Sequence, residues 1–220
     1  NLSAGRNLGN PNLDVERASN YGLGATLSQG KLKMSVDGFF RDGKGLIDFV
    51  NTGSSAIQTA DNIQDSVSYL YSKNISEVIT QGLEVQLTGN LVEKKNLSIN
   101  GQIAYTFLET KTPDGSAVSK YISNHPKHVI NARLRLRTKA FNTTVQIDHT
   151  ERKSEEVPSI DAVIPTDFTL IHLNIAYALT NQISTSMMIR NLLDEEYQQI
   201  LGARMPGRWF MVGFILNIKD

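Results

Sequence analysis

The sequence predicts an all-β chain that forms part of an antiparallel transmembrane β-barrel, and three observations carry that reading. Apolar and polar residues alternate with a period of two through most of the chain. The alternating runs are too long for an ordinary soluble sheet, and short connections between them alternate with long ones.

Nine strands follow in order: 15–28, 31–41, 71–89, 96–109, 127–137, 140–151, 167–179, 182–190 and 208–218. The first carries Tyr21 and ends in "GLGATLSQG", whose glycines lack the strand-turn-helix setting of a phosphate loop and read as small strand positions. In the second, Leu32, Met34, Val36 and Phe40 alternate with Lys33, Ser35, Asp37 and Arg41. In the third, Leu83, Val85 and Leu87 alternate with Glu84, Gln86 and Thr88, and the fourth sets Leu97, Ile99, Ile103, Tyr105 and Phe107 against polar or small neighbours. The fifth sets Ile130, Ala132, Leu134 and Leu136 against Asn131, Arg133, Arg135 and Arg137. The sixth opposes Phe141, Val145 and Ile147 to Asn142, Thr144, Gln146 and Asp148, and the seventh opposes Ile171, Leu173, Ile175 and Tyr177 to His172, Asn174 and Ala176. The eighth is the short run 182–190. The last presents Phe210, Val212, Phe214, Leu216 and Ile218 on one face, suited to lipid. Its other face, Trp209, Met211, Gly213, Ile215 and Asn217, is too apolar for a wet lumen and suits packing against an internal domain.

Soluble strands average about 5 to 6 residues, whereas a strand crossing a bilayer needs about 9 to 11, and most of these runs reach that length. Short turns at 29–30, 90–95, 138–139 and 180–181 alternate with long connections at 42–70, 110–126, 152–166 and 191–207. Outer-membrane barrels show that asymmetry, with tight periplasmic turns and longer extracellular loops. Tyr21, Phe40, Phe107 and Phe210 sit toward the long-loop ends of apolar faces and Phe141 and Tyr177 toward the short-turn ends, as two interfacial girdles would. A soluble β-sandwich binding module also alternates, and it stands as the alternative that strand length and loop pattern disfavour.

Composition removes other classes. The 220 residues are 40% hydrophobic and 20% charged, with 22 basic against 22 acidic side chains, so neither a disordered polyelectrolyte nor a nucleic-acid-binding surface is indicated. No cysteine is present for a disulfide framework or a thiolate metal site, and no apolar run is long enough for a transmembrane helix. The N-terminal "NLSAGRNLGN" lacks the features of a signal peptide. His125 and His128 in "HPKH" would share a metal only on a helix, which Pro126 opposes, and Asp194, Glu195 and Glu196 read as a solvated loop rather than a catalytic carboxylate pair. Neither catalysis, a cofactor nor a metal is expected.

The stretch "NLLDEEYQQILGARMPGRWFMVGFILN" contains Asn191, Leu192, Asp194, Tyr197, Gly202, Pro206, Gly207 and Arg208. Physically, Asn191 can cap a short helical turn whose first acids are Asp194 and Glu195, Pro206 fixes φ, and Gly207 permits a positive φ at the entry to the last strand. The stretch resembles the C-terminal signature of TonB-dependent outer-membrane receptors. "GNPNLDVERASNYGLG", "SEVITQGLEVQL", "AYTFLET" and "NHPKHVINARLRL" are similar to four further landmarks of that family, in the same order along nearly the whole chain.

The resemblance implies a Gram-negative outer-membrane location and a C-terminal share, nine strands, of a barrel of about 22 strands with a plugged lumen. An open sheet edge in a bilayer leaves backbone groups unpaired, so closure requires the remaining barrel strands. It implies that residues 1–220 are barrel, that the plug and the TonB-contacting segment lie N-terminal to it, and that the partners are the protein's own plug, TonB with ExbB and ExbD, a small-molecule ligand and the lipid bilayer. The cargo implied is a scarce ligand such as an iron-siderophore, haem or cobalamin, with a passive porin-like channel as the rival. Arg41, Asp148, His172 and Arg190 fall on polar faces near the extracellular strand ends, where a ligand entering from outside would bind first. Glu84, Arg133 and Arg135 lie deeper, as plug-facing lumenal charges. Family barrels usually end on an aromatic residue, and Ile218-Lys219-Asp220 departs from that pattern.

Overall fold

A computed structural model describes residues 7–58, 63–111, 125–152, 156–157, 162–163, 166–200 and 203–216. The strands are β1 (Asn7–Leu8), β2 (Arg17–Gln29), β3 (Leu32–Gly53), β4 (Ser68–Lys94), β5 (Leu97–Lys111), β6 (Pro126–Thr138), β7 (Phe141–Arg152), β8 (Glu156–Val157), β9 (Ala162–Val163), β10 (Asp167–Ala178), β11 (Ile183–Arg190), β12 (Gln198–Ile200), β13 (Ala203–Arg204) and β14 (Trp209–Leu216). One 3-10 turn, Ser54–Ala56, accompanies them. The main sheet runs β14-β11-β10-β7-β6-β5-β4-β3-β2, so its neighbours follow chain order as a meander should, and β1 pairs with β4. The pairs β8-β9 and β12-β13 are separate two-stranded ribbons.

The chain divides into two compact units, one comprising residues 1–22, 39–82 and 108–125 and the other 23–38, 83–107 and 126–220. In the second unit the register sorts side chains as the period-two pattern requires. Leu134, Val145, Leu173, Ile189 and Phe210 are successive partners across β6, β7, β10, β11 and β14, while Arg135, Thr144, Asn174, Met188 and Met211 form an adjacent row on the opposite face. Among the described residues the apolar face has no covering layer: Leu23 is 86% and Phe214 76% exposed, with Leu134, Val212 and Leu216 exposed as well. Water would penalise so extensive an uncovered apolar surface, and lipid would not. At the short-turn end, Phe141 and Tyr177 pair across β7 and β10 with ring centroids 4.6 Å apart. Higher on the same face, His128 packs against Phe107 at 5.4 Å and shares a 2.8 Å hydrogen bond with the Tyr105 hydroxyl, an amphipathic belt of the kind interfaces favour.

The first unit has its own small core of Ile57, Tyr69 and Tyr71, with Leu8, Ile63 and Val67 against it. Leu8 reaches it because β1 pairs in parallel with β4, setting Leu8 beside Tyr71. Asn74 ties the unit together: its Oδ1 accepts from the Asp14 N–H, and its Nδ2 donates to the carbonyls of Asp14 and Gly45. Burial pushes the Asp48 carboxyl up from its ordinary value, against the lowering effect of the Phe49 N–H it accepts. His125 shares a 3.2 Å hydrogen bond with the Thr110 hydroxyl, and burial holds its imidazole below the usual range.

The nine expected strands correspond to β2, β3, β4, β5, β6, β7, β10, β11 and β14, with most ends shifted by only a few residues. The connection expected over 42–70 is the main departure. β3 continues to Gly53 and β4 begins at Ser68, so most of that stretch is strand. Gly43 and Gly45 conceal it, because the left-handed backbone at Gly45 (φ 65°) interrupts the side-chain alternation without ending the strand. Gly30 (φ 57°) makes the tight turn between β2 and β3 as expected of a short hairpin connection.

Candidate functional site

On the polar face of the second unit, β6, β7, β10, β11 and the segment after β11 enclose a cavity of about 640 Å³. Its lining includes Asp148, Arg152, Phe168, His172, Arg190 and Trp209. Period two explains how the sequence collects them: Asp148 and Arg152 are four apart on β7, Phe168 and His172 four apart on β10, and Arg190 pairs with Trp209 across β11 and β14. Three of the four residues expected at an apical site, Asp148, His172 and Arg190, therefore share one cavity. Arg41, on β3, belongs to the first unit and is absent from the lining.

Asp148 is the hub of the cavity wall. Its carboxylate accepts from Asn131 Nδ2 at 2.7 Å and Gln146 Nε2 at 2.8 Å, and His172 Nε2 lies 3.4 Å from Oδ2. Arg133 extends the chain by donating to Gln146 Oε1 at 3.3 Å. On the other side of the imidazole, the Asn191 N–H donates to His172 Nδ1 at 3.1 Å, which fixes Nε2 as the protonated nitrogen facing Asp148. A continuous polar line thus runs from the segment after β11 across the three strands β10, β7 and β6 to Arg133.

Aromatic surface completes the cavity. The Tyr197 ring lies 4.9 Å from that of Phe168, and the Arg152 guanidinium stands 5.5 Å from the Phe168 ring centre, a cation-π distance. Arg190 Nε donates to Met188 Sδ at 3.3 Å. Sequence reasoning missed Arg152 and Phe168 because each sits at the end of its strand, next to an expected loop. Their even spacing from Asp148 and His172 was the available signal.

The closing segment departs from the helical turn expected there. Asn191 is 2% exposed, takes a left-handed φ of 51°, and its side chain brackets Glu195: Nδ2 donates to the Glu195 carbonyl and Oδ1 accepts the Glu195 N–H. Asn tolerates that backbone, so the residue closes a loop rather than capping a helix. Asp194, also left-handed at φ 59°, accepts the Arg208 N–H at 2.6 Å, and Arg208 Nη1 donates back to the Leu192 carbonyl at 3.3 Å. The Leu192 N–H bonds the Ile171 carbonyl, locking the segment to β10. Gly207 does not use a positive φ, since the described glycines with one are Gly30 and Gly45. It is needed for space instead, because a Cβ there would lie 2.7 Å from Asp194 Oδ1. Pro206 lines the cavity, and Gly202 lies outside the described residues.

A family model described as "TonB dependent receptor-like, beta-barrel" matches residues 1–192. The chain belongs to that family. Two iron-regulated outer membrane virulence proteins of Vibrio cholerae serotype O1 are 30% identical to it over 200 residues, 89% of this chain and 30% of theirs. The chain therefore spans about a third of the length of these curated relatives. Among solved structures, the pyoverdine outer membrane receptor FpvA from Pseudomonas aeruginosa PAO1 matches with TM-score 0.68 and 18% identity over 94% of this chain and 30% of its own. The copper transporter OprC matches with TM-score 0.68 and 16% identity over 94% of this chain and 32% of its own.

As a TonB-dependent receptor barrel segment the chain is an outer-membrane protein and part of a larger barrel, in a family of receptors rather than enzymes. The uncovered apolar face is then the lipid face, and the polar face carrying the cavity turns inward. Arg133 and Arg135 are exposed on this inner face of β6, and Glu84 has the same parity on β4 as its polar neighbours Gln86 and Thr88. Arg135 and Glu84 take no side-chain hydrogen bond or ion pair among the described residues, whereas Arg133 is held by Gln146.

Proposed function

We propose that this chain is the C-terminal wall of a receptor for the active uptake of a ferric siderophore, with a plug domain inside the barrel and TonB, working with ExbB and ExbD, supplying the energy. No covalent chemistry is assigned to it. The observation that carries the reading is the inner face of β14, where Trp209, Met211 and Ile215 are 41%, 51% and 56% exposed. A passive channel keeps a polar, hydrated lumen, whereas an internal domain packed against this strand would cover those side chains. Glu84, Arg133 and Arg135 suit charge contacts with such a plug. The relatives named as iron-regulated, and neighbours titled as receptors for ferric enterobactin and ferripyoverdine, favour iron as the cargo.

In the cavity, Asp148 and His172 are largely committed to Asn131, Gln146, the Asn191 N–H and each other, so they are proposed to shape the wall. Arg190, with Trp209 and Tyr197, then offers the cation and aromatic surfaces that an anionic iron chelate would meet. Arg41 is proposed as a separate capture residue. The test uses the complete receptor, restored to a deletion strain, and radiolabelled ferric siderophores. Uptake should require TonB, and Arg190→Ala should weaken ligand binding about tenfold, as loss of a charged contact would. Uptake persisting without TonB would favour the passive channel, and haem or cobalamin competing in place of siderophore would reassign the cargo.

A further inference from the structure

The lipid face is not uniformly filled. Across β3 to β7 it holds a furrow of about 410 Å³ with an almost wholly apolar lining that includes Leu32, Leu91, Gly101, Ala132, Val145 and Ile147. Small residues cut it into the wall. Gly89 leaves room for Leu32 to lie across the backbone, where a Cβ would come within 2.5 Å of Leu32 Cδ2, and Leu91 leans over Gly101, 3.4 Å from where a Cβ would be.

Charge marks one end of the furrow. Leu32 directly follows the β2-β3 turn and Leu91 precedes the β4-β5 turn, and the Asn90 N–H bonds the Lys31 carbonyl, joining the two. These turns and the next one, between β6 and β7, carry Lys31, Lys94, Lys95 and Lys139, all exposed, with Glu93 as the accompanying acid. The β10-β11 turn, away from the furrow, has no charged residue over 179–182. Lys31 and Lys95 sit in the turns themselves, whereas Lys94 ends β4 with the inner-face alternation of Glu84.

We propose that this furrow is a site for an anionic glycerophospholipid of the periplasmic leaflet, an acyl chain lying along Leu91, Gly101 and Ala132 and the headgroup phosphate meeting the turn residues Lys31 and Lys95. The inference rests on family membership and on the short turns facing the periplasm, and not on the identity of the transported ligand. An apolar trench that ends at clustered cations matches a lipid that is apolar along its tail and negative at its head. A zwitterionic lipid meets the same trench without the electrostatic gain.

The test is native mass spectrometry of the complete receptor in nanodiscs containing phosphatidylglycerol and phosphatidylcholine of equal acyl composition, with folding checked by heat-modifiable gel migration. The receptor should retain phosphatidylglycerol selectively. Neutralising Lys31 and Lys95 to Gln should lower that retention by about fivefold per lysine. Ala132→Leu, which fills the furrow from the lipid side and leaves every lysine in place, should abolish retention, with Gly101→Leu as a second filling variant. Ferric-ligand binding should be unchanged in all of these, so failure of this site and failure of the uptake reading give different results. Equal retention of phosphatidylcholine, retention of lipopolysaccharide instead of glycerophospholipid, or full retention by folded Ala132→Leu would overturn the proposal.

Discussion

Leu134→Arg in the complete receptor should destabilise the folded barrel by about 2 to 4 kcal/mol, measured by urea unfolding in lipid vesicles. Leu134 is exposed on the lipid face and sits in the row Leu134-Val145-Leu173-Ile189-Phe210, every member of which is apolar. A guanidinium there must be dragged toward an interface or left in hydrocarbon, and the cost falls toward nothing near the membrane boundary. The neighbouring change Arg135→Leu moves the other way in polarity on the opposite face. It should alter stability far less, because Arg135 is exposed and has no side-chain hydrogen bond or ion pair among the described residues.

Asn191→Ala should cost about 2 to 4 kcal/mol, read from the same unfolding transition and from new protease cleavage between β11 and β14. Two effects add. The left-handed backbone at φ 51° suits Asn better than Ala, and removing the side chain leaves the Glu195 N–H and carbonyl without their bracket. Asn191→Gly separates them, since it keeps the backbone freedom and loses only the bracket, so it should recover about 1 kcal/mol. Because the Asn191 N–H also orients His172, both variants should loosen the wall of the cavity as well as the loop.

Strand existence and facing were legible because one physical rule, burial of alternate side chains, acts on every strand of the wall. The rows through Leu134 and Arg135 follow directly from counting in twos. What the sequence concealed was decided by backbone geometry. Nothing in the letters "DGKG" distinguishes a loop from a strand whose Gly45 turns left-handed and lets pairing continue. In the closing segment the conformations differ from those the residue types suggest. Asn191 and Asp194 are both left-handed, and Gly207 serves close approach to Asp194 rather than a positive φ, which only three-dimensional contact reveals. The cavity was half visible. Asp148, His172 and Arg190 could be grouped by parity and height, but the contribution of Tyr197 depends on how the segment after β11 folds back to Phe168.

The membrane-spanning wall itself is tested most directly by nitroxide labels placed singly on the two faces of the complete receptor in vesicles. Labels at Leu134, Leu173 and Val212 should collide readily with dissolved oxygen and be shielded from a water-soluble nickel complex. Labels at Arg135, His172 and Gly213 should lack that lipid signature. Equal access of the nickel complex to both sets would contradict a wall with lipid on one side and the protein's interior on the other.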